Sequence, residues 1–110
     1  MFTIAFIFRR KPELTREQFD LLYEEHRQVM VREARGLVSY VQCRTNGVTS
    51  VAGIECNTGL SDFDALSIYT YETSEDAFYT SGLVSVAVDS ERFIDFATMI
   101  TLAVDQHRVV

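Results

Sequence analysis

The chain has 110 residues, 47% hydrophobic and 24% charged, a composition that describes one globular domain with a single modest core. Its net charge is −6 and its one basic stretch is Arg9-Arg10-Lys11, which argues against nucleic-acid binding, because phosphate contacts need clustered cations. Two cysteines thirteen residues apart, Cys43 and Cys56, and no CxxC pair give neither a zinc framework nor a disulfide scaffold.

The first eight residues, MFTIAFIF, are too short a run for a membrane helix. Their charges follow the run and no small-residue cleavage site is present, so a strand over residues 2–8 is predicted in place of a signal peptide. A soluble, reduced, cytoplasmic protein with no membrane partner is the expectation. Arg-Arg-Lys-Pro ends the strand. A helix then starts at Thr15, an N-cap with Gln18 three residues on and Leu14 before it to staple against Phe19. Its apolar stripe is Phe19, Leu22, Tyr23, Val29 and Met30, and Gly36 stops it. A second strand is predicted over Leu37 to Arg44.

Residues 45–62 carry three glycines and little periodicity. They read as a long loop, with a short strand around Val51 to Glu55, and loops of that length in small domains often act as lids. A third strand, Phe63 to Glu72, holds the alternating stretch LSIYTYE. A second helical region follows with Ser74 as its cap, is broken at Gly82 and resumes from Leu83 to Phe96. A last strand runs from Thr98 to Arg108. The order β-α-β-β-α-β predicts an α+β, ferredoxin-like domain over residues 1–110, an antiparallel sheet with helices on one face.

The first strand is apolar on both sides. Phe2, Ile4, Phe6 and Phe8 share one face, and Ala5 and Ile7 lie on the other, where Val41 and Cys43 of the second strand join them. The helices can cover only one face. A second copy of the chain, packed sheet to sheet, is the simplest cover for the other.

One polar residue stands inside the apolar stripe of the first helix. His26 lies seven residues after Phe19, four after Leu22 and three after Tyr23, in the middle of the face meant for burial. Two readings are open: a core histidine bonded to a backbone carbonyl, or a proton carrier whose imidazole titrates near neutral pH. No second ligand follows it one turn on, so a metal site is not suggested. Asp89 shares a helix face with Val86 and Phe93, and either orients a histidine or substrate hydroxyl, or pairs with Arg92 at the surface. Tyr40 and Gln42 share a face of the second strand, where a tyrosine can donate to an enolate oxygen or simply pack. Tyr69 and Tyr71 share a face with Ser67 and could line a pocket or a dimer surface. His107 reads as a solvated strand end, and Cys56 as a thiol without an activating base.

The stretches RRKPELTREQFDLLYEEHRQVMV, GLVSYVQ, FDALSIYTYETSEDAF and VDSERFIDF, with AVDQHRVV at the end, together resemble the EthD family of the dimeric α+β-barrel superfamily. The most specific part is the helix, where K-P-x-x-[ST]-x-x-x-F precedes an aromatic residue and a histidine. The resemblance implies a face-to-face homodimer with a pocket between helices and sheet. It also implies small-molecule chemistry of the kind known for cofactor-independent isomerases, lyases, polyketide cyclases and decarboxylases. The family histidine maps onto His26, and Tyr23 stands where the pattern has tryptophan. Where the family often has a Glu and an aromatic in the third strand, this chain has Ile68 and Thr70, which implies a less acidic pocket.

The expected catalytic set is therefore His26, Tyr40 and Asp89, with Phe6, Phe19, Tyr23, Gln42 and Phe93 around a small hydrophobic organic substrate. No Gly-rich phosphate loop, metal cluster or haem motif is present in the sequence, so no cofactor is expected. Two other readings stand beside this one: a cofactor-free oxygenase acting on an anthrone-like substrate, and a non-catalytic dimer that binds a hydrophobic ligand.

Overall fold

Alternating aromatic and β-branched residues form strand β1, Phe2–Arg10, in the computed structural model of the protein, which describes residues 1–56 and 62–110. Helix α1, Arg16–Glu33, starts where the sequence marks it. The Thr15 hydroxyl accepts the Gln18 amide at 3.1 Å, and the Gln18 side chain accepts the Thr15 amide at 2.8 Å. This capping box satisfies two backbone donors that the first helical turn leaves unpaired. Leu14 packs on the cluster that contains Phe19, as a hydrophobic staple does. At the other end the chain turns at Gly36, whose φ of +67° favours glycine. A Cβ there would also run into the Asp76 carboxylate.

Strand β2, Leu37–Arg44, is followed by a small hairpin, β3 (Ser50–Val51) and β4 (Ile54–Glu55), inside the expected loop. The rest of that loop includes residues 57–61, which lie outside the described residues. Strand β5 is Ala65–Tyr71, shorter than predicted at both ends. Asp64 just before it is buried and takes Arg10 at 2.6 Å and Arg16 at 3.1 Å. That carboxylate ties the end of β1 to the start of α1, and a buried charge needs such partners.

The second helical region divides at Gly82, as predicted, into α2, Ser74–Ser81, and α3, Val84–Glu91. Its cap is Thr73, whose side chain accepts the Asp76 amide, and not Ser74. The predicted continuation to Phe96 is corrected. The amides of Arg92 and Phe93 bond to the carbonyls of Asp89 and Ser90, three residues back, which tightens the last turn. Ile94 is then free to pair with Arg10, and β6 runs Ile94–Val104, starting and ending four residues earlier than expected.

The main sheet has four strands in the antiparallel order β2-β5-β1-β6, the ferredoxin-like topology predicted from the element order. Its helix-side face carries Phe6, Phe8, Ser67, Tyr69 and Tyr71. Two clusters fill the space beneath the helices. Phe8, Phe19, Tyr23, Phe93 and Ile94 belong to one, and Met30, Tyr69, Tyr71, Ala77 and Val86 to the other.

The register also defines the opposite face, because directly paired residues point the same way. Val41 faces Ile68, which faces Ala5, which faces Leu102. Cys43, Leu66, Ile7 and Ile100 make the next row. Among the described residues no helix covers these rows, and Val41, Ile100 and Leu102 remain 45%, 42% and 47% exposed. Ile68 and Thr70 belong to this face, and the Thr70 hydroxyl lies 3.0 Å from that of Thr3. They do not face the pocket, so their identity does not set its acidity, a correction to the expectation drawn from them.

Candidate active site

His26 is 3% exposed, on the stripe of α1 that also buries Phe19, Tyr23 and Met30. Its ring meets Phe93 edge-on with centroids 5.2 Å apart. Nδ1 lies 2.6 Å from Oδ2 of Asp89 on α3. A carboxylate accepts only, so Nδ1 donates, and Nε2 is the nitrogen left to serve the cavity beside it. The bond goes to a side chain on another helix, not to the backbone carbonyl of the core-histidine reading.

Asp89 does both things the sequence offered as alternatives. While Oδ2 holds His26, Oδ1 accepts Nη1 of Arg92 at 2.9 Å, and Nη2 of Arg92 reaches Glu25 on α1 at 3.2 Å. The chain Glu25–Arg92–Asp89–His26 thus runs from α1 to α3 and back. Burial pushes the His26 pKa below its ordinary value, against the upward pull of the Asp89 hydrogen bond and charge. The ring is neutral at neutral pH, which leaves Nε2 a free base.

The cavity holds about 180 Å³ between helices and sheet. Helix α1 supplies Tyr23, His26 and Met30, and β5 supplies Ser67, Tyr69 and Tyr71. Phe6, Phe8 and Phe93 close its sides, and Phe96 and Met99 of β6 stand at its rim. Tyr23 and Ser67 hydroxyls lie 2.6 Å apart. Burial raises the Tyr23 pKa well above the ordinary phenol value and pushes Tyr71 up to about 12, so both stay neutral donors.

Of the expected residues, the structure brings His26, Phe6, Tyr23 and Phe93 together around this space. Asp89 lies behind His26 and does not line the cavity, so it can hold the imidazole but not a substrate oxygen. Phe19 also lies behind, stacked on Tyr23 at 5.4 Å. Tyr40 and Gln42 are placed elsewhere, along a shallow groove between β2 and α1. The Gln42 amide donates to the Tyr40 hydroxyl at 2.7 Å and to the Tyr23 carbonyl at 2.8 Å. Tyr40 stacks on Tyr69 at 4.3 Å and reaches the cavity's lining through Tyr69 and a hydrogen bond with Ser67. The physical reason is strand order: β2 is the edge strand, while β5 lies beneath the helices.

Ser67, Tyr69 and Tyr71 take the places that sequence reasoning gave to Tyr40 and Gln42. Their shared face was visible in the alternation of LSIYTYE, but the dimer-surface alternative for the two tyrosines is overturned, because they point toward the helices. Cys56 is partly buried at the end of the hairpin, and His107 is exposed beyond β6. None of the described residues of the 45–62 loop lines the cavity. Among the described residues no helix is long and apolar enough to cross a membrane.

Solved structures share this architecture, among them the following three. The Arabidopsis thaliana protein At3g17210 superposes with a TM-score of 0.70 at 10% identity, covering 100% of this chain and 99% of that one. An ethyl tert-butyl ether d (EthD) family protein from Bacillus halodurans gives 0.65 at 16% identity, covering 97% of this chain and 100% of that one. SnoaB, a cofactor-independent oxygenase from Streptomyces nogalater, gives 0.65 at 10% identity, covering 100% and 98%. At these identities the likeness concerns the fold. No curated protein matches the sequence. Residues 11–97 match the EthD domain, a span that begins just after β1 and contains the whole of α1 with His26, and Asp89 with Arg92, and the chain belongs to the EthD family.

Proposed function

We propose that the protein is a cofactor-independent enzyme of small-molecule metabolism in which His26 carries a proton to or from a substrate carbon. The observation that carries this reading is a neutral, buried imidazole with Nδ1 fixed by Asp89 and Nε2 left for a largely apolar cavity. A general base needs that combination: one tautomer, an unprotonated nitrogen at neutral pH and little competing water. Nε2 takes a proton from the carbon next to a carbonyl, or returns one after C–C cleavage. The electron pair moves onto the carbonyl oxygen. The neutral hydroxyls of Tyr23, Ser67 and Tyr71 are the donors that can meet that developing charge. Cyclisation and isomerisation both use this step.

The dimer belongs to the same proposal. The two apolar rows on the uncovered sheet face are the surface on which a second copy packs, with no partner of another kind needed to explain them.

A second reading is favoured by the likeness to SnoaB. The same proton abstraction leaves a carbanion, and molecular oxygen then accepts its electrons. Product analysis in D₂O under air separates the readings. Proton-transfer chemistry places solvent deuterium on the product carbon without oxygen uptake. Stoichiometric oxygen uptake selects the oxygenase. A ligand that binds and returns unchanged, without exchange, selects the binding protein.

A further inference from the structure

We propose that the cavity takes an uncharged ligand with the bulk of a single six-membered ring, and that Phe96 and Met99 on a bulge of β6 set this limit. The proposal rests on the reading of this cavity as the substrate site.

Size comes first. An apolar cavity of about 150 Å³ accommodates one benzene. The present space, about 180 Å³, holds one ring and a short oxygen-bearing substituent. A fused tricyclic skeleton needs more room than that, and Phe96 and Met99 are the β6 side chains against which its outer ring would lie.

Charge comes next. The lining includes no Lys, Arg, Asp or Glu among the described residues. The neighbouring guanidinium, Arg92, is engaged by Asp89 and Glu25 and is not part of the lining. A carboxylate or phosphate would enter without a counter-charge, and an unpaired charge pays heavily for leaving water. The polar residues of the lining, His26 and hydroxyl-bearing side chains such as Tyr23, Ser67 and Ser90, carry no charge at neutral pH. They suit a single ketone or phenol oxygen.

The rim is built by a register break. On β1, one residue, Phe8, separates Ile7 from Arg9; on β6, four separate their partners Ile100 and Asp95. Those four are Phe96, Ala97, Thr98 and Met99. Asp95 holds the excursion in shape, accepting the Ala97 amide at 3.2 Å and the Thr98 hydroxyl at 2.9 Å. Bulges of this kind re-aim side chains beside active sites. Here the bulge brings Phe96 and Met99 to the cavity, and Phe96, 47% exposed, marks its mouth.

The test is ligand binding by calorimetry or NMR titration at pH 7.5 with three probes: acetophenone, benzoate and anthrone. Acetophenone is expected to bind. Benzoate, of equal bulk but charged, should bind at least about tenfold more weakly. Anthrone should show no specific binding to the wild type. In Phe96→Ala with Met99→Ala, checked for fold by circular dichroism, anthrone should gain at least about tenfold while acetophenone changes less than about threefold. If the double variant fails to fold, Phe96→Ala and Met99→Ala singly carry the same test, and a folded variant in which anthrone gains nothing would overturn the part assigned to these two residues. Benzoate matching acetophenone, anthrone binding the wild type as well as acetophenone does, or no probe binding at all would each overturn the proposal. Selectivity as expected, combined with unaltered turnover in His26→Gln, would instead leave the ligand class standing and remove the proton-transfer reading.

Discussion

Asp89→Asn changes one atom and tests the whole arrangement behind His26. The carboxylate accepts Nδ1 at 2.6 Å and Arg92 at 2.9 Å, and both bonds gain from its charge. An asparagine amide keeps the shape but can donate as well as accept, so Nδ1 loses its obligatory acceptor and the tautomer with Nε2 as base is no longer enforced. The corresponding exchange behind the histidine of a serine-protease triad costs about 10⁴-fold. For a proton-transfer step of ordinary worth, the expected loss in turnover is roughly 10²–10⁴-fold. Asp89 also raises the His26 pKa against the effect of burial. Removing it lowers that pKa further, so the acid limb of the pH–rate profile should move to lower pH. The variant should stay folded, with stability reduced by about 1.5–3 kcal/mol, the usual worth of a hydrogen bond to a charged group. Urea melts give the stability, and steady-state rates across pH give the plateau and limb. A plateau within about threefold of wild type, with an unmoved limb, would refute the assignment of Asp89 as the positioning group.

Two further outcomes follow from the same structure. Because the folded-state pKa of His26 lies below the ordinary value near 6.5, the unfolded chain takes up this proton first as pH falls. The His26 contribution to stability is therefore complete above about pH 6.5 and is lost as pH drops through the folded pKa; urea melts at pH 7.5 and 5 should show that loss in wild type and a smaller one in His26→Gln, and equal losses would contradict the depressed pKa. Light scattering at micromolar concentration should give about twice the chain mass, and Leu102→Glu, which puts a charge on the uncovered sheet face, should shift the protein toward monomer. A stable wild-type monomer would remove the sheet-to-sheet dimer.

What the sequence revealed follows from the range of the interactions involved. Helix α1 was legible because its capping box, stripe and stop are local: Thr15, Gln18 and Gly36 act within a few residues of themselves. His26 stood out for the same reason, as a break in a local period. Asp89 could be singled out as a carboxylate on an apolar helix face, but its distance from His26 is a property of how α1 meets α3. The choice between Tyr40 and Tyr69 was not legible. Both alternate correctly, and only the sheet order β2-β5-β1-β6 decides which lies under the helices. The end of α3 was misplaced because Phe93 continues the helical period while the backbone has already left it. The β6 bulge depends on pairing with β1, which no window of β6 alone contains.

The central claim is that His26 moves the proton, and the measurement that meets it most directly is turnover of the substrate by His26→Gln. The substitution keeps an uncharged hydrogen-bonding side chain of similar reach in the buried position, and the variant should remain a folded dimer by circular dichroism and light scattering. Its turnover should fall by roughly 10²–10⁴-fold, and the histidine limb of the wild-type pH–rate profile should vanish with it. A folded His26→Gln protein with near-native turnover would contradict the account and leave the cavity as a binding site alone.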